Sequence, residues 1–314
     1  MILAKNQNMQ RRFKDYLIIS FKGLAMGAAD AVPGVSGGTI AFISGIYEEL
    51  VSTISNVNIA LFKTLFNKGL TAFWKQANGS FVFALLSGII ISYISFMRIA
   101  KYLIENHPIL IWSFFLGLII ASIYFVGNQI TKWNLAVIIA LIIGTLIAFF
   151  ISTLPVLATN NSPYFLFFAG AIAICAMILP GISGSFILII LGAYKTLGDA
   201  IQDIDIKKII IFVSGAIIGL LSFSHVLKWL FKHYHNITLA LLTGFIFGSI
   251  NKVWPWKNTL SWHTNSKGIK TPLIQESISP FSFNGDNQLL FAIILVVLGF
   301  LTIFILEKAG SNKQ

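Results

Sequence analysis

Residues 30–47 read DAVPGVSGGTIAFISGIY, and residues 177–194 read MILPGISGSFILIILGAY. Both stretches place a Pro-Gly pair and further small residues inside an apolar run. Proline removes a backbone donor and disfavours helix in the residue before it, while glycine accepts the dihedral angles of a sharp turn. Each stretch therefore predicts a helix that ends near Pro33 or Pro180 and a second helix that begins directly after it.

The chain around these stretches has the composition of a polytopic membrane protein. Of its 314 residues, 56% are hydrophobic and 11% are charged, whereas a soluble domain carries about 25% charged residues. We expect helices, because isolated strands cannot satisfy their backbone groups in lipid. The predicted apolar segments are 16–32, 34–52, 80–99, 108–126, 134–153, 163–178, 180–198, 207–231, 236–252 and 287–306.

The two quoted stretches belong to an internal duplication. Residues 33–50 align with 180–197, and residues 87–123 align without a gap with 214–250. Two long ungapped blocks in the same order indicate two related halves. The residues that match in register include Gly23 and Gly170, Gly88 and Gly215, Lys101 and Lys228, Gly117 and Gly244, and Ser122 and Ser249. The last segments of the two halves share a central glycine, Gly144 and Gly299.

An odd number of segments in each half orients the second half opposite to the first. We therefore predict an all-α polytopic membrane protein of two inverted-topology repeats, an architecture of many secondary transporters. Each repeat is a re-entrant helical hairpin broken at Pro-Gly plus three transmembrane helices, and both form a single transport domain. The predicted boundaries are an N-terminal tail at 1–15, repeat 1 at 16–155 (hairpin 16–52, helices 80–153), repeat 2 at 163–306 (hairpin 163–198, helices 207–306) and a C-terminal tail at 307–314.

The distribution of basic residues predicts the orientation. Lysine and arginine are frequent in the N-terminal tail and in the loop 51–79, and such loops face the cytoplasm. We expect a multi-pass membrane protein with both termini cytoplasmic and the polar loop 253–286 on the outer surface. This topology and anionic lipid headgroups explain the net charge of +11. No motif indicates a nucleic-acid partner, and none indicates an oligomeric state.

The residues after each break have the character of an anion site. A helix N-terminus offers unpaired N–H groups, glycines let a ligand approach the backbone, and hydroxyl groups add donors. Inverted repeats would bring both breaks to one point near the midplane, where they would hold a phosphate; the alternative is a packing device. The predicted phosphate-binding residues are Gly34, Ser36, Gly37, Gly38, Thr39, Gly181, Ser183, Gly184 and Ser185.

Asp30 is a carboxylate at membrane depth, and such residues are rare and in most cases functional. We predict that Asp30 binds H⁺ or Na⁺ as a coupling ion, whereas its counterpart Met177 cannot. The alternatives are that Asp30 caps a helix or lies in a water-filled vestibule. No metal site and no other cofactor is predicted, because the loop histidines lack ligand spacing and Cys175 is the single cysteine.

Four further residues are predicted to guide an anionic headgroup at the two mouths of a path. Arg98 and Lys101 align with His225 and Lys228, and inversion would place one pair near each face of the membrane. The alternative is that these side chains reach from the helix ends toward the lipid headgroups, as long basic side chains commonly do.

The paired motifs carry a resemblance to a known family. PGVSGGT at 33–39 with GAAD at 27–30, and PGISGS at 180–185, resemble the signatures of the bacterial domain of unknown function 368 family, which is associated with polyprenyl-phosphate (undecaprenyl-phosphate) transport of the PopT type. The resemblance covers about residues 13–306, and Ser185 departs from it where a glycine is usual. It implies a flippase of the bacterial cytoplasmic (inner) membrane. This flippase would return undecaprenyl phosphate from the outer to the inner leaflet, recycling the carrier lipid of peptidoglycan and other envelope polymers.

Two other classes stay open on the residues alone. One is another lipid or anion transporter with a midplane site. The other is an intramembrane serine protease of the rhomboid type, because GVSGG at 34–38 satisfies G-x-S-x-G. A protease needs one activated serine and a histidine base, and the duplication of the serine speaks against it.

Overall fold

The computed structural model describes residues 11–31, 36–157, 160, 162–264 and 270–311, with side chains at all of these except 261–264, 270–274 and 306–311. The first half contains α1 (Phe13–Asp30), α2 (Gly37–Ile43), α3 (Tyr47–Ser55), α4 (Ile59–Gln76), α5 (Gly79–Asn106), α6 (Pro108–Gly127) and α7 (Leu135–Thr153). The second half contains α8 (Pro163–Ile178), α9 (Gly184–Ile190), α10 (Tyr194–Gln202), α11 (Ile206–His233), α12 (His235–Gly248), α13 (Ile250–Val253), β1 (Lys257–Thr264), β2 (Lys270–Ser277) and α14 (Leu289–Ser311).

The predicted helical membrane fold is confirmed. Within the described residues, α5, α6, α7, α11 and the run from α12 through α13 are long and apolar enough to cross a membrane. The apolar part of α14, Leu289–Ile305, is shorter. At 1.5 Å per residue, the 28-residue helices α5 and α11 are each roughly 40 Å long, which exceeds the hydrocarbon core of a bilayer.

Each predicted hairpin contains a second turn that the sequence interpretation did not include. The return arms expected at 34–52 and 180–198 are divided into a seven-residue helix and a nine-residue helix, α2 and α3 in one half and α9 and α10 in the other. Gly45 and Gly192 lie at these turns with φ of 73° and 69°, in the left-handed region that glycine tolerates. The axes of α9 and α10 differ by 107°, so the return arms are short.

The loop 253–286 contains a local exception to the all-α prediction. Strands β1 and β2 pair antiparallel within it and form a two-stranded sheet. Two tryptophans fix the base of this hairpin, because Trp254 Nε1 donates to the Ile278 carbonyl at 2.8 Å and Trp256 Nε1 donates to the Asn287 carbonyl at 2.9 Å. The described part of the loop therefore contains regular structure joined to its flanking segments by these two hydrogen bonds.

Matched glycines mark the crossings of packed helices. Helix α1 packs on α5, and α8 packs on α11. A Cβ atom at Gly88 would collide with the backbone carbonyl oxygen of Ser20, and one at Gly215 would collide with that of Phe167. Small residues allow this close approach of membrane helices, so equivalent positions of the two halves perform the same packing role.

The two halves also exchange their last helices. Helix α7 packs on α12, and α14 packs on α6. Glycines again lie at these contacts, since Gly244 faces the Leu141 carbonyl and Gly299 faces the Phe114 carbonyl. The order of elements and the crossings agree between the halves, while their opposite orientation stays a prediction.

A polar cluster holds α3 against several other elements. Both terminal nitrogens of Arg11 donate to Glu49 at 2.7 Å, and Asn78 Nδ2 donates to Glu49 Oε1 at 2.9 Å. His235 Nε2 lies 3.0 Å from Glu48 Oε1. The contact of His235 with Glu48 joins the first half to the second on the side predicted to be cytoplasmic.

Helix α4 lies in the loop 51–79 and has an exposed apolar face. Phe62, Phe66 and Leu70 are exposed on it, and lysines occupy other positions of the same helix. Non-helical angles at Gly69 divide it into two parts. This pattern is typical of a helix lying in a membrane interface.

Candidate functional site

The two breaks touch each other. Gly181 N donates to Thr39 Oγ1 at 2.9 Å, and Ser36 Oγ lies 3.4 Å from the Leu179 carbonyl. Ser36, Thr39 and Ser183 are buried. Residues separated by more than 140 positions in the chain thus meet in one place, as the sequence interpretation expected.

The first break is capped by its own carboxylate. Asp30 Oδ1 accepts from Gly37 N at 2.7 Å, and the position of a Cβ at Gly37 is taken by the same carboxyl group. Gly38 faces the backbone carbonyl oxygens of Met177 and Ile178. In this conformation, oxygen atoms surround Gly37 and Gly38, so neither presents a free surface to a phosphate.

The helix-capping alternative for Asp30 is therefore the arrangement that the structure shows. Its role in ion coupling stays a prediction. Pro33 and Gly34 lie outside the described residues.

The second break has no carboxylate at the equivalent place. Met177 stands in the position of Asp30, and its Cβ lies close to Gly184. Ser183 Oγ and Ser185 Oγ are 2.9 Å apart, and either can be the donor. Gly181 has a φ of 85°, which directs the turn so that its N–H reaches Thr39. The two halves of the site are thus chemically different.

Two small cavities adjoin the contact between the breaks. The first cavity is lined by Ser36, Thr39, Gly181, Ser122 and Ser249, together with apolar residues of α6. The second cavity shares Gly181 and Ser249 with it and is lined further by Ser152, Ser183, Phe186 and Lys252. Hydroxyl groups therefore line both cavities, and a charged side chain lines only the second among the described residues.

Sequence reasoning missed several of these residues. Ser122 and Ser249 were seen to match in register, and their duplication within apolar helices was the signal that could have identified them. Lys252 ends an apolar segment. In the sequence, a lysine at this position cannot be distinguished from one that anchors a helix end at the membrane interface. Only the folded chain shows that Lys252 turns toward the second break.

Lys252 and Lys257 form a pair of partly buried amines. Lys252 Nζ lies 3.8 Å from the ring centroid of Phe186, and Lys257 Nζ lies 4.3 Å from that of Trp112. Lys257 Nζ also donates to the Lys252 carbonyl at 2.5 Å. Burial, and then the neighbouring charge of Lys252, lower the pKa of Lys257 to about 7.

The four residues predicted to guide the headgroup lie elsewhere. Arg98, Lys101 and His225 are exposed on α5 and α11, where Lys101 is 3.8 Å from Glu105. His225 Nδ1 contacts its own helix at the Leu221 carbonyl, and Lys228 Nζ donates to Asn56 Oδ1 at 2.8 Å. None of the four lines either cavity, so their guiding role stays a prediction.

The serines have no catalytic base in the part of the chain that the structure describes. Ser36 Oγ contacts a backbone carbonyl, and Ser183 Oγ contacts another serine. A nucleophilic serine needs a base within hydrogen-bond reach. The geometry at the breaks therefore favours binding over catalysis.

Comparisons with known proteins agree with this interpretation. The model of the family described as undecaprenyl phosphate translocase-like matches residues 26–271. A polyprenyl-phosphate transporter of Vibrio cholerae is 44% identical over 308 residues, which cover 97% of this chain and 100% of the relative. A polyprenyl-phosphate transporter of Staphylococcus aureus is 31% identical over 254 residues, covering 74% and 84% respectively. No solved structure matches this chain.

Proposed function

Because this chain belongs to the undecaprenyl phosphate translocase-like family, we propose that it carries a polyprenyl phosphate across the bacterial inner membrane. It is a transporter rather than an enzyme. The proposed direction is from the outer to the inner leaflet, which returns undecaprenyl phosphate for further rounds of envelope synthesis. The observation that carries the proposal is the direct contact between the two broken hairpins.

The two parts of such a lipid have different needs. The phosphate must cross the hydrocarbon region, where an unsatisfied charge costs several kcal/mol. The polyprenyl tail is apolar and can stay in the bilayer. A protein that moves this lipid therefore needs a short polar path, and the serines and threonine around the breaks supply hydroxyl groups along one.

The cavities suggest how the path is divided. Gly181 and Ser249 line both of them, and the hydrogen bond from Gly181 to Thr39 closes the contact between the breaks. We infer that the headgroup passes this point when the breaks separate. Residues on each side would then bind it in turn, which is the logic of alternating access.

Asp30 is the candidate for coupling this movement to an ion. Its carboxylate holds the start of α2 through Gly37. Binding of H⁺ or Na⁺ would weaken that hydrogen bond and leave Gly37 free for the headgroup. The charge of Asp30 would also repel a phosphate until the ion is bound, so the ion and the lipid would move together.

Transport by the purified protein in proteoliposomes tests the proposal. Undecaprenyl phosphate in the inner leaflet should become accessible to an externally added phosphatase faster than in protein-free liposomes. Ser36→Ala and Ser183→Ala should each lower the rate by about tenfold, because a hydrogen bond to a charged group is lost. Ser95→Ala is the matched control, since Ser95 is exposed and its hydroxyl bonds within α5.

The outcomes separate two parts of the proposal. If the wild-type protein leaves the rate unchanged, the transport function is wrong. If it transports and both site variants match Ser95→Ala, the serines do not bind the headgroup.

A further inference from the structure

Two lysines meet beside the second cavity without an acidic partner. Among the described residues, neither Lys252 nor Lys257 forms a salt bridge; the ion pairs found there involve other residues. Both lysines are partly buried, and removing a charge from water costs free energy unless the charge is paired. An uncompensated pair of amines at this place therefore indicates an anion that binds from outside the chain.

The packing fixes both amines near the cavity. The ring of Phe186, on α9 directly after the second break, lies below Lys252 Nζ, and a cation above an aromatic face is stabilised without being neutralised. Lys257 Nζ donates a hydrogen bond to the backbone carbonyl of Lys252 and lies over the ring of Trp112. Lys252 lines the cavity itself, and the hydrogen bond from Lys257 fixes the backbone of Lys252.

We propose that Lys252 binds the phosphate group of the transported lipid in the second cavity, with Lys257 as a positioning residue that holds Lys252 in place. This rests on the proposed function. The hydroxyl group of Ser183 lines the same cavity and adds a donor when its pair with Ser185 opens. An ammonium group offers three donors and a compact charge, which suits a phosphate monoester.

The chemical difference between the halves supports this assignment. Asp30 and backbone carbonyls surround the start of α2, and no charged side chain among the described residues lines the first cavity. The strongest attraction for a phosphate is therefore at the second break. The first cavity offers weaker, uncharged contacts through which the headgroup could leave.

The position of Lys252 also assigns a step of transport. It lies directly before the loop 253–286, and Lys257 begins the β-hairpin of that loop. Under the predicted orientation this loop is on the outer surface. Lys252 would then capture the headgroup of a lipid that arrives from the outer leaflet.

Binding to the purified full-length protein in detergent tests this inference. The probe is farnesyl monophosphate, with farnesol and inorganic phosphate as separate arms. Lys252→Gln should weaken binding of farnesyl monophosphate by about tenfold, whereas Lys252→Arg should stay within about threefold of wild type because it keeps the charge. Lys257→Gln should have an intermediate effect. Lys207→Gln is the control, since Lys207 is exposed on α11.

Farnesol separates a loss of charge recognition from a loss of fold. The affinity for farnesol should be the same in all variants. A cooperative thermal unfolding transition, measured without ligand, should show that each variant is folded. If Lys252→Gln does not fold, the effect of Lys257→Gln decides the inference.

Each result has a distinct meaning. If wild type fails to bind farnesyl monophosphate, the proposed function is wrong. If wild type binds it and Lys252→Gln binds equally well, only the present inference is wrong. If inorganic phosphate binds as tightly as farnesyl monophosphate, the site is for free phosphate, and the lipid assignment is overturned.

Discussion

At the scale of single residues, the main difference between the halves is Asp30 against Met177. The carboxylate caps α2 through Gly37 N, while Met177 places its apolar Cβ beside the equivalent Gly184. A duplicated site needs only one ionisable member to respond to an ion. This difference is the basis for proposing that Asp30 couples transport to an ion and that the second break binds the lipid phosphate.

The coupling role gives a prediction for Asp30→Asn. The asparagine oxygen can still accept from Gly37 N, so the unfolding temperature should stay close to that of wild type. The amide cannot bind a proton or hold Na⁺ as a carboxylate does, so transport in proteoliposomes should no longer respond to an imposed H⁺ or Na⁺ gradient. Asp203→Asn is the control, since Asp203 is exposed beyond α10. A gradient response retained by Asp30→Asn would contradict the prediction.

The sequence predicted part of this site. Ser36, Thr39, Gly181 and Ser183 were expected to meet, and the structure brings them together. The Pro-Gly motif is a strong local signal, because its effect on the backbone does not depend on the rest of the fold. The orientation of the Lys252 side chain does depend on the rest of the fold, so its position over the ring of Phe186 could not be inferred from the sequence.

At the scale of elements, glycines set the distances between helices. Gly88 faces the Ser20 carbonyl, so α1 and α5 approach with no space for a side chain between them. Gly198, on α10, has no atom within 4 Å of the position where a Cβ would be placed. The two glycines are both helical, and they differ in what surrounds them.

This contrast gives a prediction for two alanine substitutions. Gly88→Ala should destabilise the protein by about 1–3 kcal/mol, because the extra methyl group pushes α1 away from α5. Gly198→Ala should stabilise it by up to about 1 kcal/mol, because alanine favours helix and nothing opposes the methyl group. Thermal unfolding in detergent micelles measures both. Equal unfolding temperatures for the two variants would show that the close helix contact is not required.

The sequence placed most elements and missed their subdivisions. Apolar length is sufficient to find a membrane span, because lipid demands it. The turns at Gly45 and Gly192 were missed because each lies within an apolar run and carries no proline. The hairpin of β1 and β2 was missed because pairing of two strands depends on their register, which a short polar stretch specifies weakly.

At the scale of the whole molecule, the orientation in the membrane can be measured directly. The variant Ser279→Cys, made in a Cys175→Ala background, should react with a membrane-impermeant maleimide in spheroplasts. The reason is that Ser279 is exposed in the loop 253–286. The variant Lys68→Cys in the same background should react only after the membrane is permeabilised, because Lys68 is exposed on α4. The opposite pattern would reverse the predicted orientation.

The exchange of helices between the halves has a consequence for biogenesis. Helix α6 is complete at Gly127, but its partner α14 begins only at Leu289. At a synthesis rate of about 5–20 residues per second, α6 waits roughly 10–30 s in the lipid before that partner is made. During this interval the backbone groove at Gly117, which later receives α14 at the Val296 carbonyl, is open to other helices. Membrane insertion of this chain therefore has a late closing step, and a nascent chain stalled before α14 would leave the groove at Gly117 without its final partner.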